Sequence, residues 1–286
     1  MIDPAVPGLL TLAFPCGHRA QALWLASQHQ GLDLVASLGL EPARPTLVIV
    51  GGAGLMDAAS MQQLQVLFNA VLAPLAQDLG LTVIDGGTDV GVMQLMGQAR
   101  HRSAATFPLV GVLPQEQAKV PDPATMATLK ALQTGGKIAA SLPKTAADDP
   151  SRSLGGGGPD YDLEPHHTHF LLTPGQAWGS ESVWISDLAT AVSAPQPSLT
   201  LLINGGQIAA VDFHLHLAAG RPVLVLAGSG RFADDVAQAL VADPQDIPPA
   251  LREVIQRYQP SGALRSLDMA LSPQALRQQL VTYFDP

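Results

Sequence analysis

Four stretches of this chain put glycines where a strand would run into a helix: "VIVGGAGLMDAA" (48–59), "VIDGGTDVGVMQLMG" (83–97), "LLINGGQIAAVDF" (201–213) and "VLAGSGRFADDVA" (225–237). Glycine costs conformational entropy, so each seam should need something that only glycine supplies. Bare backbone lets a phosphate approach, and the unpaired N–H groups of a first helical turn then point at it. On that reading Gly51 and Gly52, Gly86, Gly87 and Gly91, Gly205 and Gly206, and Gly228 and Gly230 form the walls of an anion site. Thr88 and Ser229 add hydroxyls, and Arg231 adds a fixed positive charge. Asp85 stands where a carboxylate can accept from ribose hydroxyls, while Asp89 reads as a turn or cap residue.

The pattern excludes two familiar ways of holding nucleotides. No Gly-Lys-Ser/Thr follows any of these turns, and "GGAGLM" lacks the third glycine of the dinucleotide fingerprint. ATPase and NAD-dehydrogenase chemistry are therefore disfavoured.

Histidines offer a second chemistry. His166, His167 and His169 cluster before one apolar run, and His214 and His216 lie two apart in another segment. No cysteine or carboxylate cluster completes a metal site at recognisable spacing, and a pair two apart on a helix does not share a face. No metal is expected, and no cofactor beyond the ligand itself. Trp178 and Trp184 bracket Glu181; both read as packing residues, with Trp178 as an alternative stacking surface for a base. Met93 and Met96 follow the glycines at helical spacing and read as core.

The elements that must position these residues are short, β-rich and mostly non-alternating: "TLVIV" (46–50), "LTVID" (81–85), "PLVGVL" (108–113), "HTHFLL" (167–172), "LTLLI" (199–203) and "PVLVL" (222–226). Such runs fit strands covered on both faces. Helix-like segments at 56–79, 89–104, 181–193, 207–219 and 231–242 alternate with them. The fold class that follows is α/β: a doubly wound, mainly parallel sheet of six or more strands with helices on both faces. In such a sheet the four glycine turns share one edge, the carboxyl edge where ligands bind. The segment 1–44 is expected to hold a helix and a turn, with "HRAQALWLASQHQGLDLVASLGL" leading into the first strand. The core spans about 45–243, and 244–286 is a helical tail with Ser272 capping its last helix ahead of Pro273. All 286 residues read as one domain, and 144–165, with four consecutive glycines, reads as a polar surface loop or a lid.

Composition fits a nucleotide derivative better than a polymer. A net charge of -9 argues against a nucleic-acid footprint. One cysteine, Cys16, leaves no disulfide within the chain. No apolar run approaches a membrane span and no signal-like opening is seen, so a cytoplasmic location without membrane attachment is expected.

Three motifs together carry a resemblance. "GGTDVGVMQLMG", "HHTHFLLTPGQAWGSESVWISDLATAV" and "RPVLVLAGSGRFADDVA" are similar to the SLOG domain of the TRPM channel N-terminus, and specifically to its free-standing prokaryotic relatives. The matching positions are Gly86, Gly87, Gly91, Val92 and Met93; Thr168, His169 and Phe170 with Gly179 and Glu181; and Gly228, Ser229, Gly230, Arg231 and Asp234. The resemblance spans about 45–240 and implies a Rossmann-like nucleotide-binding fold, an ADP-ribose-type ligand and a homodimer. It also suggests His169 beside a base or phosphate.

The wider superfamily contains the Lonely Guy enzymes, which cleave N-glycosidic bonds with a "PGGxGTxxE" loop. Here "PGQAWGSES", with Gly175 and Gly179, has one glycine where the enzymes have two, an extra residue before its Gly-Ser, and Val183 where their glutamate would stand. The resemblance therefore implies binding or sensing first. The alternatives are a nucleoside-phosphate N-glycosidase with Glu181 as acid or nucleophile and Arg231 as phosphate anchor, and a scaffold that has lost its ligand.

Overall fold

The computed structural model describes residues 8–25, 33–52, 57–121 and 161–285. The apolar runs become strands of one nine-stranded sheet. β1 (Leu9–Ala13) and β2 (Arg19–Trp24) form an antiparallel hairpin, followed by α1 (Leu34–Leu38) and β3 (Thr46–Gly51). α2 (Ala58–Leu67) continues through a π turn into α3 (Ala73–Asp78), then β4 (Thr82–Asp85), α4 (Gly91–Arg102) and β5 (Leu109–Pro114). A small pair, β6 (Ala118–Lys119) and β7 (Tyr161–Asp162), precedes β8 (His169–Thr173), α5 (Ser182–Ser193) and β9 (Ser198–Ile203). The chain ends through α6 (Gln207–Ala218), β10 (Val223–Ala227), α7 (Arg231–Val241), α8 (Pro249–Tyr258), β11 (Leu264–Asp268) and α9 (Pro273–Val281).

The sheet order is β1-β2-β8-β5-β4-β3-β9-β10-β11, and every pair except β1–β2 is parallel. From β3 the chain winds outward through β4 and β5 to β8; it then returns to β9 and winds the other way. The switch in direction therefore falls between β3 and β9, whose carboxyl ends pair at Gly51 and Ile203. A doubly wound sheet opens its ligand crevice there.

Burial explains why these segments are strands. In β3 the run "TLVIV" is buried at all five positions, because one face packs on α1 and α5–α8 and the other on α2–α4 and α9. A third cluster lies under the β1–β2 hairpin and includes Trp24, Phe170 and Leu163. Local signals set several boundaries. Asp57 accepts the Ser60 N–H at 2.7 Å to start α2, and Ser272 accepts the Ala275 N–H at 3.3 Å ahead of Pro273 in α9.

Two expectations are corrected. The segment Arg19–Trp24 is a strand, because "RAQALW" alternates and turns Ala20 and Ala22 into the core while Arg19 and Gln21 face out. The tail is interrupted by β11, whose polar "LRSLD" buries only Leu264 and Leu267 and closes the sheet edge beside β10. Residues 144–160 of the expected surface loop lie outside the described residues; in its described end, Leu163 and Glu164 are buried.

Candidate functional site

All four glycine turns do sit at the carboxyl edge, but they are built for different purposes. The turn after β4 is closed by the chain itself. Gly87 has φ +70, and a Cβ there would come within 2.7 Å of the Gly111 Cα on β5. Gly111 in turn would clash with Gly87 and with the Phe170 ring at 2.9 Å. These glycines let two backbones and an aromatic ring stack in direct contact. Segment 161–164 then lies across the turn. Glu164 N–H donates to Gly87 O at 3.0 Å, Asp89 N–H donates to Asp162 O at 2.8 Å, and Thr88, 2% exposed, bridges to Leu163.

A buried charge chain runs beneath this turn. Asp85 Oδ1 accepts from Gly87 N–H at 2.8 Å and from His167 Nε2 at 2.8 Å; His167 Nδ1 donates to Glu164 Oε2 at 2.9 Å. Burial alone would lower the His167 pKa, but the Asp85 and Glu164 carboxylates overcome it and push it up to about 9. Burial likewise opposes ionisation of Glu164, yet its bonds to His167 and His166 win and hold its carboxyl below the usual range. Glu164 fits only because position 97 is glycine: a Cβ there would lie 1.9 Å from Oε2.

At β3, β9 and β10 the picture differs. Asn204 (φ +55) donates from Nδ2 to Ser229 O at 2.9 Å, and its N–H donates to Ser229 Oγ at 2.8 Å. Ser229 Oγ donates on to Leu226 O at 2.6 Å, so this hydroxyl staples the turns together and is 2% exposed. Phe232 and Ala233 of α7 give their N–H groups to Gly205 O and Asn204 O, at 3.4 and 2.9 Å, and Asp234 Oδ1 accepts from Gly228 N–H at 2.7 Å. The first turn of α7 is thus occupied. The first-turn amides of α6, at Gln207, Ile208 and Ala209, have no carbonyl of their own helix to bond.

Arg231 stands over that helix start. It is exposed and holds φ +51, unusual for a side-chain-bearing residue, and its Nη2 would be 2.8 Å from a Cβ placed on Gly206. Gly52 borders the same spot, since its Cβ would meet Asn204 Oδ1 at 2.9 Å and Gly205 N at 3.1 Å. Gly179 of the β8–α5 loop closes the other side, 3.6 Å from Ile208 Cγ1 by the same measure. The fold therefore brings Gly51, Gly52, Gly205, Gly206, Gly179 and Arg231 together at the switch point. Gly86 lies in the closed turn and Gly91 starts α4 just after it, and Gly175 packs against the Ser180 side chain.

Glu181 is 6% exposed and accepts the Gly179 N–H at 2.6 Å. Burial first, then the neighbouring Asp212 carboxylate, raise its pKa to about 7; burial raises Asp212 on α6 to about 6. Ser182 is buried beside Asp212, and its hydroxyl partly offsets that rise. Two adjacent carboxyls that hold protons near neutrality can donate or accept a proton.

His169 does not join the group. It opens β8, so it lies a strand length of about 13 Å from the carboxyl edge, bonded through Nδ1 to Thr168 Oγ1 at 2.7 Å. Burial and then the Arg100 charge lower its pKa to about 4. His216 is buried against Arg221 while His214 points outward. Trp178 packs its ring on Tyr161 at 5.6 Å and Trp184 packs on the core, as their packing reading expects. Asp212 and Glu164 were not legible as site residues. The signal available for Glu164 was its place two and three residues ahead of a histidine pair.

Residues 44–273 match the family model described as SLOG in TRPM, prokaryote. Transient receptor potential cation channel subfamily M member 2 of Rattus norvegicus and of Mus musculus are each 24% identical over 236 residues, covering 78% of this chain and 14% of the channel. The chain thus spans about one-seventh of the length of these relatives. Among solved structures, the X-ray structure of TM1055 is 17% identical with a TM-score of 0.49, over 83% of this chain and 99% of that one. The molybdenum cofactor binding protein from Rippkaea orientalis is 11% identical with a TM-score of 0.45, over 84% and 96%. No helix among the described residues is long and apolar enough to cross a membrane.

Proposed function

The chain belongs to the SLOG in TRPM, prokaryote family, and from that membership and the turn geometry we propose that it binds a nucleotide-derived diphosphate of the ADP-ribose type at the crevice between β3 and β9. One observation carries the reading: the Arg231 guanidinium lies over Gly206 at the switch in strand order, beside first-turn amides of α6 that have no carbonyl of their own helix to bond. A fixed cation next to a helix N-terminus binds a phosphate through charge-assisted hydrogen bonds. Arg231 also holds a left-handed backbone conformation, which costs of order 1 kcal/mol and places the side chain there. In this reading the protein senses its ligand in the cytoplasm, as a homodimer, and passes the bound state to a partner.

The test is a thermal-shift panel of ADP-ribose, cyclic ADP-ribose, NAD, AMP, ATP and cytokinin-type nucleotides. A ligand at one hundred times its dissociation constant adds about 2.7 kcal/mol, roughly 5 to 10 °C for a domain of this size. A shift selective for ADP-ribose relatives supports the reading; no shift with any nucleotide removes it.

A second reading rests on Glu181, whose carboxyl titrates near pH 7 beside Asp212. That is the protonation expected of a general acid at an N-glycosidic bond. Release of a free base from a nucleoside monophosphate, abolished in Glu181→Gln, would establish it; no release would exclude it.

A further inference from the structure

At the opposite edge of the sheet, three histidines that are distant in sequence meet on the surface. His18 follows the turn of the β1–β2 hairpin, His101 lies in the last turn of α4, and His166 precedes β8. Each offers one ring nitrogen, and the three nitrogens lie within 4.8 Å of one another. The His101 and His166 rings stack at 4.3 Å, and His18 meets both edge-on at 5.2 and 4.9 Å. Three imidazoles in mutual contact repel one another when protonated and gain nothing comparable to a hydrogen bond when neutral. A shared cation resolves both problems.

We propose that His18, His101 and His166 form a binding site for a divalent transition metal of the zinc type. A tetrahedral metal with nitrogen ligands at 2.0 to 2.1 Å spaces them about 3.4 Å apart, so side-chain adjustment led by the exposed His101 ring closes a trio already within 4.8 Å. Three histidines leave the fourth position to water or to a ligand atom from outside the trio.

Three features of the surroundings fit a metal. Glu164 Oε1 accepts from His166 Nδ1 at 2.6 Å, which leaves Nε2 with its lone pair outward. A carboxylate behind a histidine is the usual device that fixes tautomer and ring direction for a metal. His18 is held by its own turn, where Phe14 N–H donates to His18 O at 2.9 Å. His101 rides on a helix carboxyl end, whose dipole favours a cation. Arg100 opposes binding by charge, but its guanidinium is directed to Phe107 O and His166 O at 2.9 and 3.3 Å, and the buried Glu164 carboxylate balances it.

The proposal is independent of the nucleotide reading. Its test uses the full chain without a histidine tag, stripped by chelator and titrated with Zn2+ against a chromophoric indicator, then with Co2+ followed by visible absorption. The expected result is one metal per chain, a tetrahedral cobalt spectrum, and affinity at least tenfold weaker in both His18→Ala and His101→Ala. His101 is exposed at a helix end, so its variant should fold; circular dichroism checks this. His214→Ala, at an exposed histidine elsewhere, should bind as the parent does. Binding far below one equivalent, or binding unchanged in His18→Ala and His101→Ala, or equally weakened by His214→Ala, overturns the site.

Discussion

Two glycine turns leave the same edge of the same sheet, "VIDGGTDVG" after β4 and "LLINGGQIA" after β9, and among the described residues only the first is sealed by a segment crossing it. At the first, Gly87 buys direct contact with Gly111, and segment 161–164 seals the turn over a buried Asp85–His167–Glu164 chain. At the second, Gly206 leaves space that the Arg231 guanidinium overhangs, next to first-turn amides with no carbonyl of their own helix to bond. In the proposed reading the same dipeptide answers two demands, close packing in one place and room for an anion in the other. What decides between them is the neighbouring chain: Glu164 lies under the first turn, and Arg231 lies over the second.

This contrast can be broken in steps. Glu164→Ala has the largest expected effect. It leaves the protonated His167 buried with one carboxylate in place of two, which should cost about 3 to 5 kcal/mol in urea denaturation, while ligand affinity of the folded fraction stays the same. Gly87→Ala comes next. It forces a Cβ into the Gly111 backbone at positive φ, for about 3 kcal/mol of stability.

Glu181→Gln should change the pH dependence. The Glu181 pKa is raised in the folded state to about 7 from an ordinary 4.5, so its favourable contribution is complete below pH 4.5 and is lost as pH rises through 7. The parent should therefore lose stability from pH 5 to pH 8 relative to the glutamine variant, by about 2 kcal/mol. Equal urea midpoints at the two pH values in both proteins would contradict the assignment. Gly206→Ala should have the smallest effect on stability, about 1 kcal/mol or less, because its Cβ meets only the mobile end of Arg231. Displacing that guanidinium should still weaken ADP-ribose binding about tenfold. A Gly206→Ala protein as unstable as Gly87→Ala would erase the comparison.

The sheet was legible because its central strands are buried on both faces. "TLVIV" and "LTLLI" have no alternative as exposed structure, and the glycine turns punctuate their ends. Strand β2 and the edge strand β11 were missed because their small or polar residues carry little hydrophobic signal. The glycine turns of the carboxyl edge were legible as a set. Which turn was open could not be read, since that depends on Glu164 and segment 161–164 crossing from elsewhere. His169 misled because a motif position says nothing about which end of a strand it occupies. His18 and His101 gave no signal at all, as only the fold brings them to His166.

The most direct test of the open turn is calorimetric titration of ADP-ribose into the parent protein and into Arg231→Gly. Glycine accepts the left-handed conformation that Arg231 holds at φ +51, so this variant should be as stable as the parent or slightly more so. The account predicts one binding event in the parent and at least tenfold weaker binding in the variant. Equal affinity in the two proteins would contradict it.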